Sequence, residues 1–327
     1  MSIERVCVIG AGAIGSLYAG HLAAVADVQV LTRREAHAQA LNEEGLRVSG
    51  KSERHVRLRA SADAGDLDDF DLGIICTKAP DLEQTAARLE GRFPAATMMT
   101  IQNGLGAEEL LRRHGSWKLI SAVTFMSGHR HGDAHVEYEL DTATWLGPYA
   151  EGGATYELAR QICDLLLSSG LVAEAMPDLR PAQWSKLLFN SAVNAVAALT
   201  DLPHVREFAS EREPADLGHL VHDLIDEGRR VAQAAGIELH EDPWEMNVRA
   251  VSVGETQHGE YAHLPSMLED VRTRRRTEID SITGAVAREG MRVGVPTPLH
   301  TALWRLVRGM ELSWERDAAA PREEARA

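Results

Sequence analysis

The stretch "RVCVIGAGAIGSLYAGHLA", residues 5–23, limits the possible folds of this chain more than any other segment. An aliphatic run ends at Ile9, Gly10-x-Gly12-x-x-Gly15 follows, and a pattern of helical period begins. Between a strand and a helix, the first glycine permits a tight turn. The second lets a pyrophosphate approach the backbone, and the third lets the helix pack closely on the strand. The phosphates then lie at the positive N-terminus of the helix. Gly10, Ala11, Gly12, Ala13, Ile14 and Gly15 are therefore the candidate dinucleotide loop. A glycine-rich turn with no ligand is the competing reading, and the strand–turn–helix context argues against it. A signal or membrane segment is also rejected for the charge-free run Val6 to Ala26. That run carries four glycines in turn-like positions and no cleavage pattern.

The second strand bears on the cofactor. "DVQVLTRREAH" ends its apolar run at Leu31 and continues Thr32, Arg33, Arg34. A carboxylate at this point accepts from a ribose 2′-hydroxyl, whereas an arginine suits a 2′-phosphate by charge and forked geometry. Arg33 thus points to NADP(H), with Arg34 a helper. Glu35 lies close by, and two solvated loop arginines are the bland alternative.

Alternation persists downstream. "FDLGIICTKA" predicts a doubly buried parallel strand, and "DLEQTAARLE" the helix after it. "ATMMTIQNGLGAEELLRRH" repeats the scheme. Ligands of open α/β sheets bind outside the carboxyl ends of strands, which places Lys78 and Asn103 at a cofactor. The chain is β-rich from Leu119 to Pro148, and "YELARQICDLLLSSG" and "LVAEAM" complete the sheet. From Pro181 helical periods replace β-patterns. The expected architecture is α/β: an N-terminal Rossmann domain at 1–179, an all-helical C-terminal domain at 180–316, and a frayed tail at 317–327.

Charge and cysteine usage exclude several classes. The chain has 327 residues and a net charge of −15, a poor match for nucleic acid or an anionic membrane. Cys7, Cys76 and Cys163 lack metal-ligand or CxxC spacing and read as reduced residues of a cytoplasmic protein. His129, His131 and His135 lie in a glycine-containing connection without a partner set of ligand spacing, so no metal is expected. "RTRRR" at 272–276 reads as a solvated face.

"WSKLLFNSAVNAVAAL", residues 184–199, is apolar round most of a helix, yet Lys186, Asn190 and Asn194 recur at every fourth position. That spacing draws one polar line down a buried helix. It is expected to face a cleft, and the alternative is a lysine snorkelling from a half-exposed helix beside two ordinary amides. A ketone that accepts hydride develops negative charge on its oxygen, which a positioned ammonium can stabilise and protonate. Burial disfavours the charged lysine and makes it a better acid near neutrality.

Taken in order, "IGAGAIGS", "CTKA", "IQNGLG", "WSKLLFNSAVNA" and "PSMLEDVRTRRRTEIDSITGAVAREGMRVGVPTP" resemble the ketopantoate reductases, NADP-dependent 2-oxo acid reductases related to 6-phosphogluconate dehydrogenase. The likeness spans about residues 3–311. It implies that Lys186 is the catalytic lysine and that Asn190 and Asn194 line the substrate pocket. It further implies that Asn103 and Lys78 contact cofactor, that Glu278 orders the active site, and that Ser266 holds the substrate carboxylate. The family's active site lies in the cleft between its domains. The small-molecule partner would be a 2-oxo acid, and a homodimer is left open.

Departures from the family pattern gather on the substrate side. His204 follows Pro203 where an asparagine is common, and His263-Leu264-Pro265-Ser266-Met267-Leu268 stands for Asn-x-Ser-Ser-Met-Leu. "NAVAAL" replaces "NPLTAL". His204 and His263 join the substrate-binding candidates, because histidine changes donor geometry, bulk and charge. Reduction of a 2-oxo acid is thus better supported than reduction of ketopantoate itself. The alternatives are a dehydrogenase of another hydroxy acid or an opine-type substrate, and an idle NADP(H)-binding sensor.

Overall fold

The computed structural model describes residues 3–210, 215–258 and 264–319. Its strands are β1 (Arg5–Ile9), β2 (Asp27–Leu31), β3 (Leu46–Gly50), β4 (Arg54–Val56), β5 (Arg59–Ser61) and β6 (Leu72–Ile75). They continue with β7 (Thr97–Thr100), β8 (Lys118–Thr124), β9 (Ser127–Arg130), β10 (His135–Leu140), β11 (Thr144–Pro148) and β12 (Ala173–Ala175). The helices interleaved with them are α1 (Ala13–Leu22), α2 (Glu35–Glu44), α3 (Leu82–Leu89), α4 (Ala107–His114) and α5 (Tyr156–Ser168). Helices alone follow: α6 (Arg180–Thr200), α7 (Asp216–Ala234), α8 (Pro243–His258), α9 (Ser266–Arg272), α10 (Thr283–Val293) and α11 (Pro298–Ala319). The chain divides into two compact units, Met1–Gln183 and Trp184–Ala327.

The first unit is built on an eight-stranded sheet of order β12-β11-β8-β7-β6-β1-β2-β5. From β5 to β8 all neighbours are parallel, and β11 joins β8 antiparallel. Numbered among the parallel strands alone, the order is 3-2-1-4-5-6, the doubly wound Rossmann arrangement. Alternate residues of β1 explain why the sheet is covered on both faces. Val6 and Val8 enter one core with Leu72, Ile74 and Met99, while Cys7 and Ile9 enter the other with Ile75 and Met98. A strand buried on both sides reads as a continuous apolar run, and "VCVI" and "LGII" do.

A second, four-stranded sheet of order β4-β3-β10-β9 was not expected from the sequence. It joins the insertion between β2 and β5 to the hairpin after β8, with β10 parallel to β3. His129 and His135 therefore lie on β9 and β10, not in an irregular connection, and this corrects the sequence expectation.

In the second unit α6 is buried along nearly its whole length. Gly228 of α7 permits that burial: a β-carbon there would fall 2.4 Å from Leu188 Cδ2. The serines flanking the polar line fasten the helix to its surroundings. Ser185 Oγ accepts the N–H of Glu241 at 3.0 Å, and Ser191 Oγ meets His300 Nε2 at 3.1 Å. His300 Nδ1–H donates in turn to Glu227 Oε1 at 2.8 Å, with both residues wholly buried.

Candidate active site

The glycine loop begins where the sheet order reverses. Gly10 N donates to Leu31 O and Cys76 N donates to Ile9 O, both at 2.8 Å, so the loop leaves β1 between β2 and β6. Gly10 has φ +99°, and a β-carbon on it would meet Thr77 Cγ2 at 2.9 Å. At Gly15 a β-carbon would fall 1.9 Å from Gly10 O, so only glycine allows α1 to start this close to the strand. Gly12, the N-cap of α1, differs: a β-carbon there would meet nothing within 4 Å. Open space lies over the helix N-terminus, which has no side-chain cap and no carboxylate in its first turn. Such a cradle fits the pyrophosphate of a dinucleotide.

Residues after β6 and β7 extend this rim. Lys78 is half-buried at the start of a short 3₁₀ turn, and Asn103 is half-buried in the loop leading to α4. Gln102 ties the two strand ends together, its Nε2 donating to Ile75 O and Thr77 O at 2.8 Å each. Its Oε1 and the Thr77 Oγ1 are buried without a hydrogen-bond partner among the described residues. Buried polar atoms are rarely left so. Glu108, buried in the first turn of α4, accepts from Thr100 Oγ1 at 2.7 Å and so fixes the far end of the Asn103 loop. Burial pushes its carboxyl above the usual range. None of Thr77, Gln102 and Glu108 was singled out from sequence, although each lies in a quoted motif. For Thr77 and Gln102 the signal available was a polar residue just past an apolar strand, and for Glu108 an acid in the first turn of a helix.

Arg33 lies two residues past the end of β2, exposed and paired with Asp81 at 3.2 Å. Arg34, the N-cap of α2, pairs with Asp133 at 2.5 Å. The Arg88 guanidinium donates to Thr32 O and Ala62 O at 3.3 and 2.6 Å and fixes the backbone from which both arginines extend.

On α6 the polar line is buried: Lys186 and Asn190 are 8% exposed and Asn194 is 6% exposed. Burial lowers the Lys186 ammonium to about 8, and the charge of Glu278 works in the opposite sense. Glu278, itself buried, sits in the turn before α10. A lysine that titrates here can hold a proton at neutral pH and release it to a developing oxyanion. The second unit therefore brings Lys186 and Glu278 together.

His204 is buried beside the same helix, its ring 5.8 Å from that of Phe189 and 6.4 Å from that of Phe208. Ser266 opens α9 and is exposed. His263 lies outside the described residues. In the histidine group, His131 bonds Glu137 at 2.7 Å and His135 bonds Ser49 at 2.8 Å. Among the described residues no group of three or more His, Cys, Asp or Glu side chains is placed to hold a metal. The 272–276 arginines are exposed, with Arg272 paired to Asp201 and Arg275 to Glu269 and Asp270. No helix among the described residues is long and apolar enough to cross a membrane.

A Rossmann sheet with a glycine cradle, joined to a helical unit with a buried lysine, defines a dinucleotide-dependent oxidoreductase. Comparison with known proteins gives the family. The profile for "Ketopantoate reductase PanE/ApbA" matches residues 6–151, and that for its C-terminal part matches residues 178–311. The chain belongs to the ketopantoate reductase family. It is 30% identical to a 2-dehydropantoate 2-reductase of Archaeoglobus fulgidus, covering 95% of this chain and 99% of that one. A Streptococcus pyogenes 2-dehydropantoate 2-reductase is 31% identical, at 94% and 97% coverage. Among solved structures, a PanE/ApbA family ketopantoate reductase from Ralstonia eutropha superposes with TM-score 0.83 at 27% identity, covering 95% of this chain and 100% of that one. D-mandelate dehydrogenase with NADH and anilino(oxo)acetate also gives 0.83, at 25% identity and the same coverage.

Proposed function

We propose that this protein reduces a small 2-oxo acid to the 2-hydroxy acid with NADPH. Residues 1–179 would bind the cofactor, and 180–316 would bind substrate and supply the proton. The observation that carries this is Lys186, a lysine buried on α6 whose ammonium is drawn down to about 8 beside Glu278. An idle nucleotide-binding protein gains nothing from so costly a residue.

When bound, the reduced nicotinamide supplies hydride to the carbonyl carbon. Gly10 to Gly15 would cradle its pyrophosphate, with Lys78 and Asn103 at the strand ends. Arg33 would leave Asp81 for the 2′-phosphate, an exchange of one anion for a more highly charged one. Lys186 then stabilises charge on the carbonyl oxygen and gives up its proton there. Glu278 keeps that ammonium protonated, and Asn190 and Asn194 orient it and the substrate. Asn103 and Ser266 would hold other polar groups of the acid, Ser266 its carboxylate, and His204 and His263 would line the distal end of the pocket.

A second reading, dehydrogenation of another hydroxy acid with NAD(H), is favoured by the likeness to D-mandelate dehydrogenase bound to NADH. One screen separates the two. NADPH and NADH are each offered with ketopantoate and a panel of alkyl and aryl 2-oxo acids, and loss of the reduced-nicotinamide absorbance is followed. Turnover of 2-oxo acids with NADPH is expected. Preference for NADH would select the second reading, and no turnover with any acid would reject both.

A further inference from the structure

Glu278 sits not on a helix but in the turn 277–282, so its carboxylate is only as well placed as that turn. Both flanks of the turn are held by α11. On one side Glu311 Oε1 accepts from the Thr277 backbone N–H and from its hydroxyl, each at 2.7 Å, with both residues buried. On the other, Asp280 accepts from Trp304 Nε1 at 2.7 Å and from Arg308 Nη1 at 2.6 Å. Within the turn, Ser281 N and Ile282 N donate to Glu278 O at 3.1 and 3.0 Å. The Glu311 carboxylate has a further cation nearby, Arg308 Nε at 4.0 Å from Oε2, and it borders a surface pocket with Arg276 and Glu315.

A buried carboxylate that takes two donors from one residue is an expensive way to hold a loop. Its position is informative, because the residue held is the one immediately before Glu278. We propose that Glu311 and Thr277 are positioning residues: α11 clamps the turn on both sides of Glu278 and thereby holds the Glu278 carboxylate against Lys186. The inference rests on the reading of Lys186 as proton donor, yet it can be checked without turnover. It also explains why "VGVPTPLHTALWRLVRGMEL", far from α6 in sequence, bears on the chemistry of α6.

The test is direct titration of Lys186 in full-length protein labelled with ¹³C,¹⁵N-lysine. The chain has only four lysines, Lys51, Lys78, Lys118 and Lys186, so K186M assigns the signal. In E311A the turn loses its acceptor, Glu278 drifts, and the Lys186 midpoint should fall by roughly half a unit or more. E278Q should move it the same way. E311Q keeps an accepting oxygen without the charge and should stay near the parent, which separates positioning from a direct effect of the Glu311 charge. In kinetics, E311A should lower kcat about tenfold or more, with KM for the dinucleotide little changed. If E311A does not fold, T277V removes only the hydroxyl donor and should give a smaller shift in the same direction. A variant with lower Tm but the parent's Lys186 midpoint and kcat would overturn the clamp. A shifted midpoint in a protein that reduces no 2-oxo acid would uphold the clamp and sink the functional reading instead.

Discussion

The Glu278 carboxylate offsets part of the desolvation that Lys186 suffers on α6: burial draws the ammonium down to about 8, and the nearby charge pulls it back up. The balance between these opposed effects leaves a lysine that is protonated at neutral pH and still acidic enough to give its proton away.

Turnover should follow that balance. In the proposed mechanism reduction needs the protonated lysine, so kcat should hold below pH about 8 and decline as pH rises through it. Lys186→Ala should lower kcat by about two to four orders of magnitude, the range for loss of a general acid. NADPH affinity, measured by fluorescence titration, should stay near that of the parent. Activity within tenfold of the parent would remove Lys186 from its role.

Stability should move the other way. The folded pKa of Lys186 lies below its ordinary value of 10.5, so between about 8 and 10.5 the unfolded chain binds more protons and stability rises with pH. Below about 8 the penalty is fully present. Lys186→Met keeps the volume and removes the charge, and should stabilise the protein at pH 7 by up to about 3 kcal/mol, the equivalent of the pKa shift. Denaturant melts at pH 7 and pH 10 check this. The gain should shrink at the higher pH, and a loss of stability at pH 7 would contradict the burial argument.

Cofactor preference should depend on Arg33. If NADPH is the cofactor as proposed, Arg33→Ala should remove one charge-assisted contact to its 2′-phosphate, worth about 1.5–3 kcal/mol, or very roughly ten- to a hundredfold in affinity. NADH should hardly respond, since its ribose carries no such group. Equal losses for both cofactors would mean that Arg33 does not read the phosphate.

The two histidines should tune substrate choice and leave the chemistry alone. His204 packs against Phe189, one residue from Asn190 on α6. Changing His204 and His263 together to asparagine should shift relative kcat/KM among 2-oxo acids toward ketopantoate by about tenfold, with NADPH affinity unchanged. An unaltered ranking across the panel would place both histidines outside the pocket.

The glycine cradle, the parallel strands and the polar line of α6 could be read from sequence because each depends on local geometry. A positive φ at Gly10, the contact of Gly15 with Gly10 O, and the helical repeat of Lys186, Asn190 and Asn194 involve residues close together in the chain. A helix or strand period also repeats within a few residues, so its apolar pattern is visible before any partner is known. The second sheet was not visible, because β3 pairs with β10 across a long stretch of intervening chain. The same is true of Thr77 and Gln102, whose unpaired oxygens exist only once β6 and β7 lie side by side. The pKa of Lys186 belongs wholly to the tertiary structure, since desolvation and the Glu278 charge arise only when distant segments pack. So does the grip of Glu311 on Thr277, two hydrogen bonds across 34 residues. The amino-acid order determined which groups were available for the chemistry, and the packing of remote segments decided which of them met and with what charge.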